Sequence, residues 1–313
     1  MKVLFITSTR IGDAILSTSV LRYIKNKFPY SSLYIATGKT PASLFKNFGN
    51  IKKIFILKKK KFKIHWLELW WQTFFNKWDI IIDLRGSLIS YLLFNEQKYI
   101  YKSIKENIHR LDELALLMRT KYLPLPSIPI LKKDTKKISK DFLKLKNPIA
   151  IGASANWPAK IWPAKKFVKL IKILLKEKKF GKEKFIVFFG SSKDLKNIKK
   201  ITKHLKKSRV INFCGKLNLI EVIAHLKKCK IFIGNDSGLM HIASASGIPT
   251  LGLFGPSLES RYAPKGNNAY YIRTKKTFRQ LTGAKNFDWN TEKNLMNSLS
   301  VNSVFKKIKE ILG

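Results

Sequence analysis

Strand-like and helix-like patterns alternate along this chain, the alternation breaks once, and then it restarts. That pattern predicts an α/β protein of two successive doubly wound domains. The 313 residues leave room for two domains, and 45% hydrophobic against 26% charged residues supplies a sizeable core. The break lies at 122–148, where Pro124, Pro126, Pro129 and Pro148 surround a lysine-rich segment that reads as an interdomain connection.

In order along the first half, residues 3–6 read as a buried strand followed by a loop and a helix at 14–27. Residues 32–36 and 54–57 are further strands, and 79–83 (DIIID) is the clearest strand of this half. Helical patterns fill 64–76, 86–95 and 109–120. In the second half, 149–152, 184–189, 210–212, 230–234 and 250–253 read as strands with helices between them. The predicted architecture is two doubly wound, Rossmann-like α/β domains, 1–145 and 146–313, facing a cleft. Ligands of such sheets sit beyond the carboxyl ends of the strands. The last helix, 301–312, is amphipathic, has no strand after it, and is expected to cross back onto the first domain.

The formal charge is +43, from 62 Lys and Arg against 19 Asp and Glu. Lysine accounts for 53 of the 62 basic residues and is spread over nearly every helix, with no reading motif for bases. A specific nucleic-acid partner is therefore not expected, whereas attraction to an anionic membrane surface is. Cys214 and Cys229 are too few for a disulfide framework, and reduced thiols point to the cytoplasm. The N-terminus turns polar after Ile6, so no signal peptide is expected, and no apolar run reaches the ~18 residues of a membrane span.

Three segments carry residues suited to chemistry. The first strand ends in Thr7-Ser8-Thr9-Arg10-Ile11-Gly12-Asp13, a polar turn opening a helix. Asp13 fits either a helix cap or a general base facing the cleft. The segment Gly234-Asn235-Asp236-Ser237-Gly238-Leu239-Met240-His241 follows a strand and opens a second helix, whose free N–H groups form an anion site suited to nucleotide phosphates. Asp236 or Ser237 as a simple cap, with His241 an ordinary helix residue, is the plainer account. The third segment, Trp157-Pro158-Ala159-Lys160-Ile161-Trp162-Pro163, places Lys160 on a loop at the same edge, where an ammonium offsets phosphate charge.

These segments, in this order, resemble glycosyltransferase family 9, the bacterial ADP-heptose:lipopolysaccharide heptosyltransferases and their relatives. IGDAILSTSVLRYIK is similar to the family's Gly-Asp turn and helix, DIIIDLRGSLISYLL to its Asp-Leu-(Arg/Gln)-Gly strand, and AKIWPAKKFVKLI to its Trp-Pro segment. FCGKLNLIEVIAHLKKCKIFIGNDSGLMHIASASGIPTLGLFGP resembles its most specific stretch, and SLESRYAPKG the continuation.

The resemblance implies a GT-B fold, with an acceptor-binding first domain and a nucleotide-sugar-binding second. It implies an inverting, metal-independent enzyme with no cofactor. The donor is a nucleotide diphosphate-sugar, ADP-heptose first, and the acceptor is the lipopolysaccharide core or a related lipid-linked glycan. Asp13 matches the family's general base, with Arg10 and Gly12 on the acceptor-side loop. Lys160 matches the lysine that steadies the leaving diphosphate, and Asp236 the carboxylate that contacts the donor. Ser237, Gly238, Leu239 and His241 match the phosphate cradle, with Ser154 on the donor side. Where the family often has a Glu after the glycine closing the strand beneath the nucleoside, this chain has Asp194. The alternatives are a family-9 transferase for another nucleotide sugar, a catalytically silent nucleotide-sugar binder and, last, a nucleic-acid binder.

Four tryptophans, Trp66, Trp70, Trp71 and Trp78, fall together with Phe74 and Phe75. Trp66, Trp70 and Phe74, spaced by four, are expected to be a core stripe. Trp71, Phe75 and Trp78 form a second stripe that, with Lys58, Lys59, Lys60, Lys61 and Lys63, is expected to dock on the cytoplasmic face of the inner membrane.

Overall fold

The computed structural model describes residues 1–103 and 108–313. Contacts divide the chain into two compact units, Met1–Pro129 and Ile130–Gly313. Each is built on one all-parallel sheet.

The first unit contains β1 (Lys2–Ile6), β2 (Ser32–Thr37), β3 (Ile51–Ile56), β4 (Trp78–Asp83) and β5 (Asn95–Ile100), in the order β3-β2-β1-β4-β5. The second contains β6 (Pro148–Gly152), β7 (Phe185–Phe188), β8 (Val210–Asn212), β9 (Ile231–Asn235), β10 (Thr250–Phe254) and β11 (Ala269–Arg273), ordered β11-β10-β9-β6-β7-β8. Strands buried on both faces must be apolar on both, which is why KVLFI, IIID, PIAIG, FIVF and IFIGN are continuous rather than alternating runs. The strand order reverses between β1 and β4 in the first unit and between β6 and β9 in the second. A crevice beyond the carboxyl ends opens at such a switch point.

The edge strands β5 (NEQKYI) and β11 (AYYIR) escape a hydropathy reading because an edge position needs less apolar surface. The helix expected at 86–95 does not form. The buried Asp83 carboxylate accepts the amides of Arg85 and Ser87, both at 2.7 Å, and the hydroxyls of Ser87 and Ser90 at 2.5 and 2.8 Å. This holds the chain in a tight loop with only a short turn at Leu88–Tyr91. The loop needs Gly86, whose φ is 62° and where a Cβ would stand 2.5 Å from the Tyr101 carbonyl oxygen.

The division between units comes before residue 145 because the second half of the connection packs on the second unit. Phe142 lies 4.7 Å from the His225 ring and 5.6 Å from Phe213. The closing helix, Val301–Leu312, does not keep its apolar face for the first unit. Val301, Val304 and Ile308 are buried in the second unit's core, and the helix packs on Ala164–Lys176.

Trp78, expected on the outward stripe, belongs to no such stripe. It opens β4, is fully buried against Tyr34 at 5.0 Å, and donates Nε1–H to the Thr73 carbonyl at 3.1 Å. Trp66, Trp70 and Phe74 pack against the same core, as their spacing predicts.

His225 is buried, with Nδ1 2.7 Å from the Glu221 carbonyl, and burial lowers its pKa below the ordinary imidazole value. The unfolded chain protonates this ring near pH 6.5 while the folded state resists, so its contribution is present above about pH 6.5 and is lost as pH falls through the folded pKa. Denaturant titrations should show stability falling from pH 7 to 5. In His225→Gln that fall should be shallower, by about 1.4 kcal/mol for each unit of pKa depression. Parallel pH profiles for the two proteins would refute the assignment.

Candidate active site

In the first unit the turn after β1 is held from several sides. The Thr7 amide donates to Ala36 O at 2.8 Å, the Thr7 hydroxyl to Ser17 Oγ at 2.8 Å, and the Thr37 hydroxyl to Ser8 O at 2.8 Å. Gly38 lets the neighbouring loop close on Thr9, since a Cβ there would lie 2.8 Å from the Thr9 Cα. The helix that follows, Ile11–Lys27, has Arg10 as N-cap with no side-chain cap bond. Asp13 is the third residue of the helix, within its first turn, so the N-cap position open to it in the sequence is not the one it takes. Among the described residues the half-buried Asp13 carboxylate accepts a single bond, at 3.4 Å from the Ser8 hydroxyl, while that hydroxyl accepts the Arg10 amide at 3.0 Å. Gly12 is half-buried and Arg10 exposed.

In the second unit two loops meet across the β6/β9 switch point. Lys160 ends a short turn, Pro158–Lys160, after β6, and its Nζ donates to Asp236 Oδ2 at 2.7 Å directly after β9. Beside this pair the Trp162 amide donates to Asn235 Oδ1 at 3.0 Å, and the fully buried Trp162 indole donates to Leu299 O at 3.0 Å. A third segment straps the Lys160 loop from outside. Asn294 Nδ2 donates to Ile161 O at 2.7 Å, the Leu295 amide to Ala159 O at 3.2 Å, and Trp157 Nε1 to Thr291 O at 2.9 Å.

The next helix, Gly238–Ala245, starts at this pair. Its N-cap, Ser237, makes no side-chain cap bond. Among the described residues, four buried polar atoms at this edge lack a partner: Asn235 Nδ2, Ser237 Oγ, Ser257 Oγ and Arg273 Nε. They stand at or just beyond the carboxyl ends of β9, β10 and β11. Unpaired buried polar groups are costly, so their gathering at one sheet edge marks a place built to receive a polar ligand. The N-terminus of a helix beside an ammonium selects an anion.

The structure thus brings together Lys160, Asp236, Ser237, Gly238 and Leu239. His241 is buried one turn into the same helix, and the half-buried Ser154 follows β6. Asp194 is otherwise engaged, since its carboxylate accepts the Ser191 amide at 2.7 Å and the Ser191 hydroxyl at 2.9 Å. Cys214, buried at the same edge, has its thiol pushed up to about 12, by burial first and the Asp194 charge second, and is a packing residue. Sequence reading missed Asn235 as a positioning residue, Ser257, and the 291–295 strap. Asn235 lay inside a quoted motif, but the strap has no periodicity or motif to mark it.

The family model described as "Glycosyltransferase family 9 (heptosyltransferase)" matches residues 109–286, more than half of the chain, a span that includes Lys160 and the Asp236 turn. The chain is 28% identical to a lipooligosaccharide heptosyltransferase 2 of Campylobacter jejuni over 85% of both chains. It is 25% identical to lipopolysaccharide heptosyltransferase 1 of Campylobacter coli over 100% of this chain and 99% of that one. Among solved structures, a glycosyl transferase family 9 protein from Veillonella parvula superposes with TM-score 0.79 at 20% identity, covering 99% of this chain and 97% of that chain. The E. coli ADP-heptose heptosyltransferase II superposes with TM-score 0.77 at 19% identity, covering 100% and 98%. These folds are of the GT-B type that the resemblance implied.

Lys160→Met leaves Asp236 buried without its cation and should cost about 1–3 kcal/mol in denaturant unfolding. Asp236→Asn should cost less, because Lys160 is a quarter exposed and keeps access to water. The double variant should fall short of the sum of the two by about 0.5 kcal/mol or more, and strict additivity would show that the pair is not coupled. With the family model matched over more than half of its length, the chain belongs to glycosyltransferase family 9.

Proposed function

We propose that the protein is an inverting, metal-independent glycosyltransferase that moves heptose from ADP-heptose onto a lipopolysaccharide core or a related lipid-linked glycan. The observation that carries this reading is the Lys160–Asp236 pair beside a helix N-terminus and the unpartnered Ser237 and Ser257 hydroxyls. In the reaction, the acceptor oxygen attacks the anomeric carbon as the bond from that carbon to the diphosphate oxygen breaks. The acceptor proton passes to Asp13, whose carboxylate accepts the Ser8 hydroxyl at 3.4 Å. Arg10 and Gly12 frame the acceptor side.

Negative charge then accumulates on the departing diphosphate. The Lys160 ammonium and the first N–H groups of Gly238–Ala245 meet it, a pre-aimed electrostatic arrangement that needs no reorganisation during the step. Asp236 holds Lys160 in place before the donor arrives and contacts the donor afterwards, and Ser154 and His241 complete the donor side. The first unit is the acceptor-binding domain and the second the donor-binding domain.

Two further features extend the proposal. Both cysteines are free and buried, as suits a reducing cytoplasm. Among the described residues no helix is long and apolar enough to cross a membrane, and in this proposal the lipid-linked acceptor is met at the membrane surface. A second reading, the same transfer from a different nucleotide sugar, is favoured by Asp194, because its capping bonds to Ser191 occupy the carboxylate expected beneath the nucleoside.

Thermal unfolding with ADP, UDP, GDP and CDP separates the readings. A nucleotide at ~100 times its Kd should stabilise by roughly 2.7 kcal/mol, and Asp236→Ala should abolish this. A selective ADP shift supports heptose, and a selective UDP, GDP or CDP shift changes the sugar. No shift with any nucleotide overturns the proposal, and a shift without turnover leaves the silent nucleotide-sugar binder. With the productive donor, Asp13→Asn should lower kcat by roughly 10²- to 10⁴-fold while leaving the nucleotide shift intact. An unchanged kcat removes Asp13 as the base.

A further inference from the structure

The helix Ile64–Phe74 carries two apolar faces, and the fold uses one. Trp66, Trp70 and Phe74 lie against the core of the first unit. Leu67, Trp71 and Phe75, again spaced by four, face away from it and are 64%, 64% and 75% exposed. Single exposed hydrophobic residues are ordinary, but a contiguous patch is not. Here the rings form a chain, with Trp71 5.6 Å from Phe75, Phe75 5.4 Å from Phe74, and Phe74 5.7 Å from Phe94. Phe94 comes from the loop before β5 and is itself 64% exposed.

The turn before this helix exposes a further aromatic side chain. Phe62 and Lys63 both adopt left-handed backbone, with φ of 50° and 57°, a conformation costly for bulky non-glycine residues. That turn leaves the Phe62 ring 94% exposed. Lysines predominate around the patch, and the Glu96 carboxylate near Phe94 is paired with Lys77 at 4.0 Å. Residues 52–77 contain eight lysines and one acid, Glu68, which is already paired with Lys60.

We infer that this face of the first unit, built on Phe62, Leu67, Trp71, Phe75 and Phe94, docks on the surface of an anionic phospholipid bilayer. The aromatic and leucine side chains enter the headgroup and acyl boundary, while the lysines before the helix lie against lipid phosphates. Charge complementarity selects this occupant over a second copy of the chain, since each copy carries +43. Aliphatic Leu67 inside the patch and the absence of any arginine from 52–77 set it apart from a base-stacking surface. The inference concerns adsorption alone, so its test uses no donor and can fail while the transferase reading stands.

The experiment is flotation of the full chain with vesicles of phosphatidylethanolamine and phosphatidylglycerol, against vesicles of phosphatidylcholine. Binding should require phosphatidylglycerol and weaken steeply with salt. Trp71→Ser combined with Phe75→Ser should reduce the vesicle partition coefficient at least about tenfold, with the melting temperature and nucleotide shift retained as evidence of folding. Lys58→Gln, Lys59→Gln and Lys61→Gln together should reduce it roughly a hundredfold. Brominated acyl chains should quench the wild-type tryptophan emission more than that of Trp71→Phe. Equal recovery on neutral and anionic vesicles, or binding and quenching unchanged by the variants, overturns the proposal. So does a dimer that the Trp71/Phe75 variant dissociates in the absence of any vesicle binding, or single-stranded RNA bound through the same residues more tightly than vesicles.

Discussion

A parallel sheet is stable only when both of its faces are covered, and this constraint organises each unit of the protein. The strands are apolar on both sides, helices pack over them, and polar residues are driven to the strand ends. The amino ends meet incoming loops. The carboxyl ends, where each chain segment turns from strand into helix, collect Thr7, Ser8 and Asp13 in one unit and Lys160, Asp236, Ser237 and Ser257 in the other. Polar groups gather at these edges because nowhere else in such a sheet can they do so without opening the core.

The second unit shows how the edge is stiffened. Asn235 and Asp236 are consecutive, yet they do different work. Asn235 accepts the Trp162 amide and fixes the backbone of the Lys160 loop, and Asp236 takes the ammonium itself. Trp162 ties the same loop down to Leu299, at the start of the closing helix, and the 291–295 segment closes over it. A lysine is a flexible point charge, and holding it at 2.7 Å from a nearly buried carboxylate needs this support on both sides. The cost is a set of polar atoms without partners, which is the expected signature of a site organised for its ligand rather than for its own stability.

The first unit makes a comparable concession at its surface. A helix with one apolar face would satisfy the core, and Ile64–Phe74 has two. Its outward stripe gains nothing from folding and lowers solubility, while the lysine excess beside it restores solubility. The distribution of charge over the whole chain and the concentration of aromatic residues at this one place are separate features, and only the second is local.

Much of this was legible from residues alone. The continuous apolar runs of β1, β4, β6, β7, β9 and β10 announce buried parallel strands, because no other environment favours them. The turns around Asp13 and Asp236 stand out because polar and glycine residues directly follow such runs. The spacing of Trp66, Trp70 and Phe74 identifies a core stripe for the same reason. Three-dimensional packing decided the rest. Trp78 is apolar and close to Trp71 in sequence, but a strand begins there and carries it inward. Residues 86–95 have helical periodicity, but four hydrogen bonds to one buried carboxylate outweigh a weak helical propensity. Asp13 has the composition of a cap, but the helix starts at Ile11 and leaves it inside the first turn. Sequence determines which segments must be buried and how each prefers to bend, since these are properties of single residues and their neighbours. Which polar groups find one another across 76 positions, as Lys160 and Asp236 do, depends on strand order, and strand order is settled only when the whole sheet assembles.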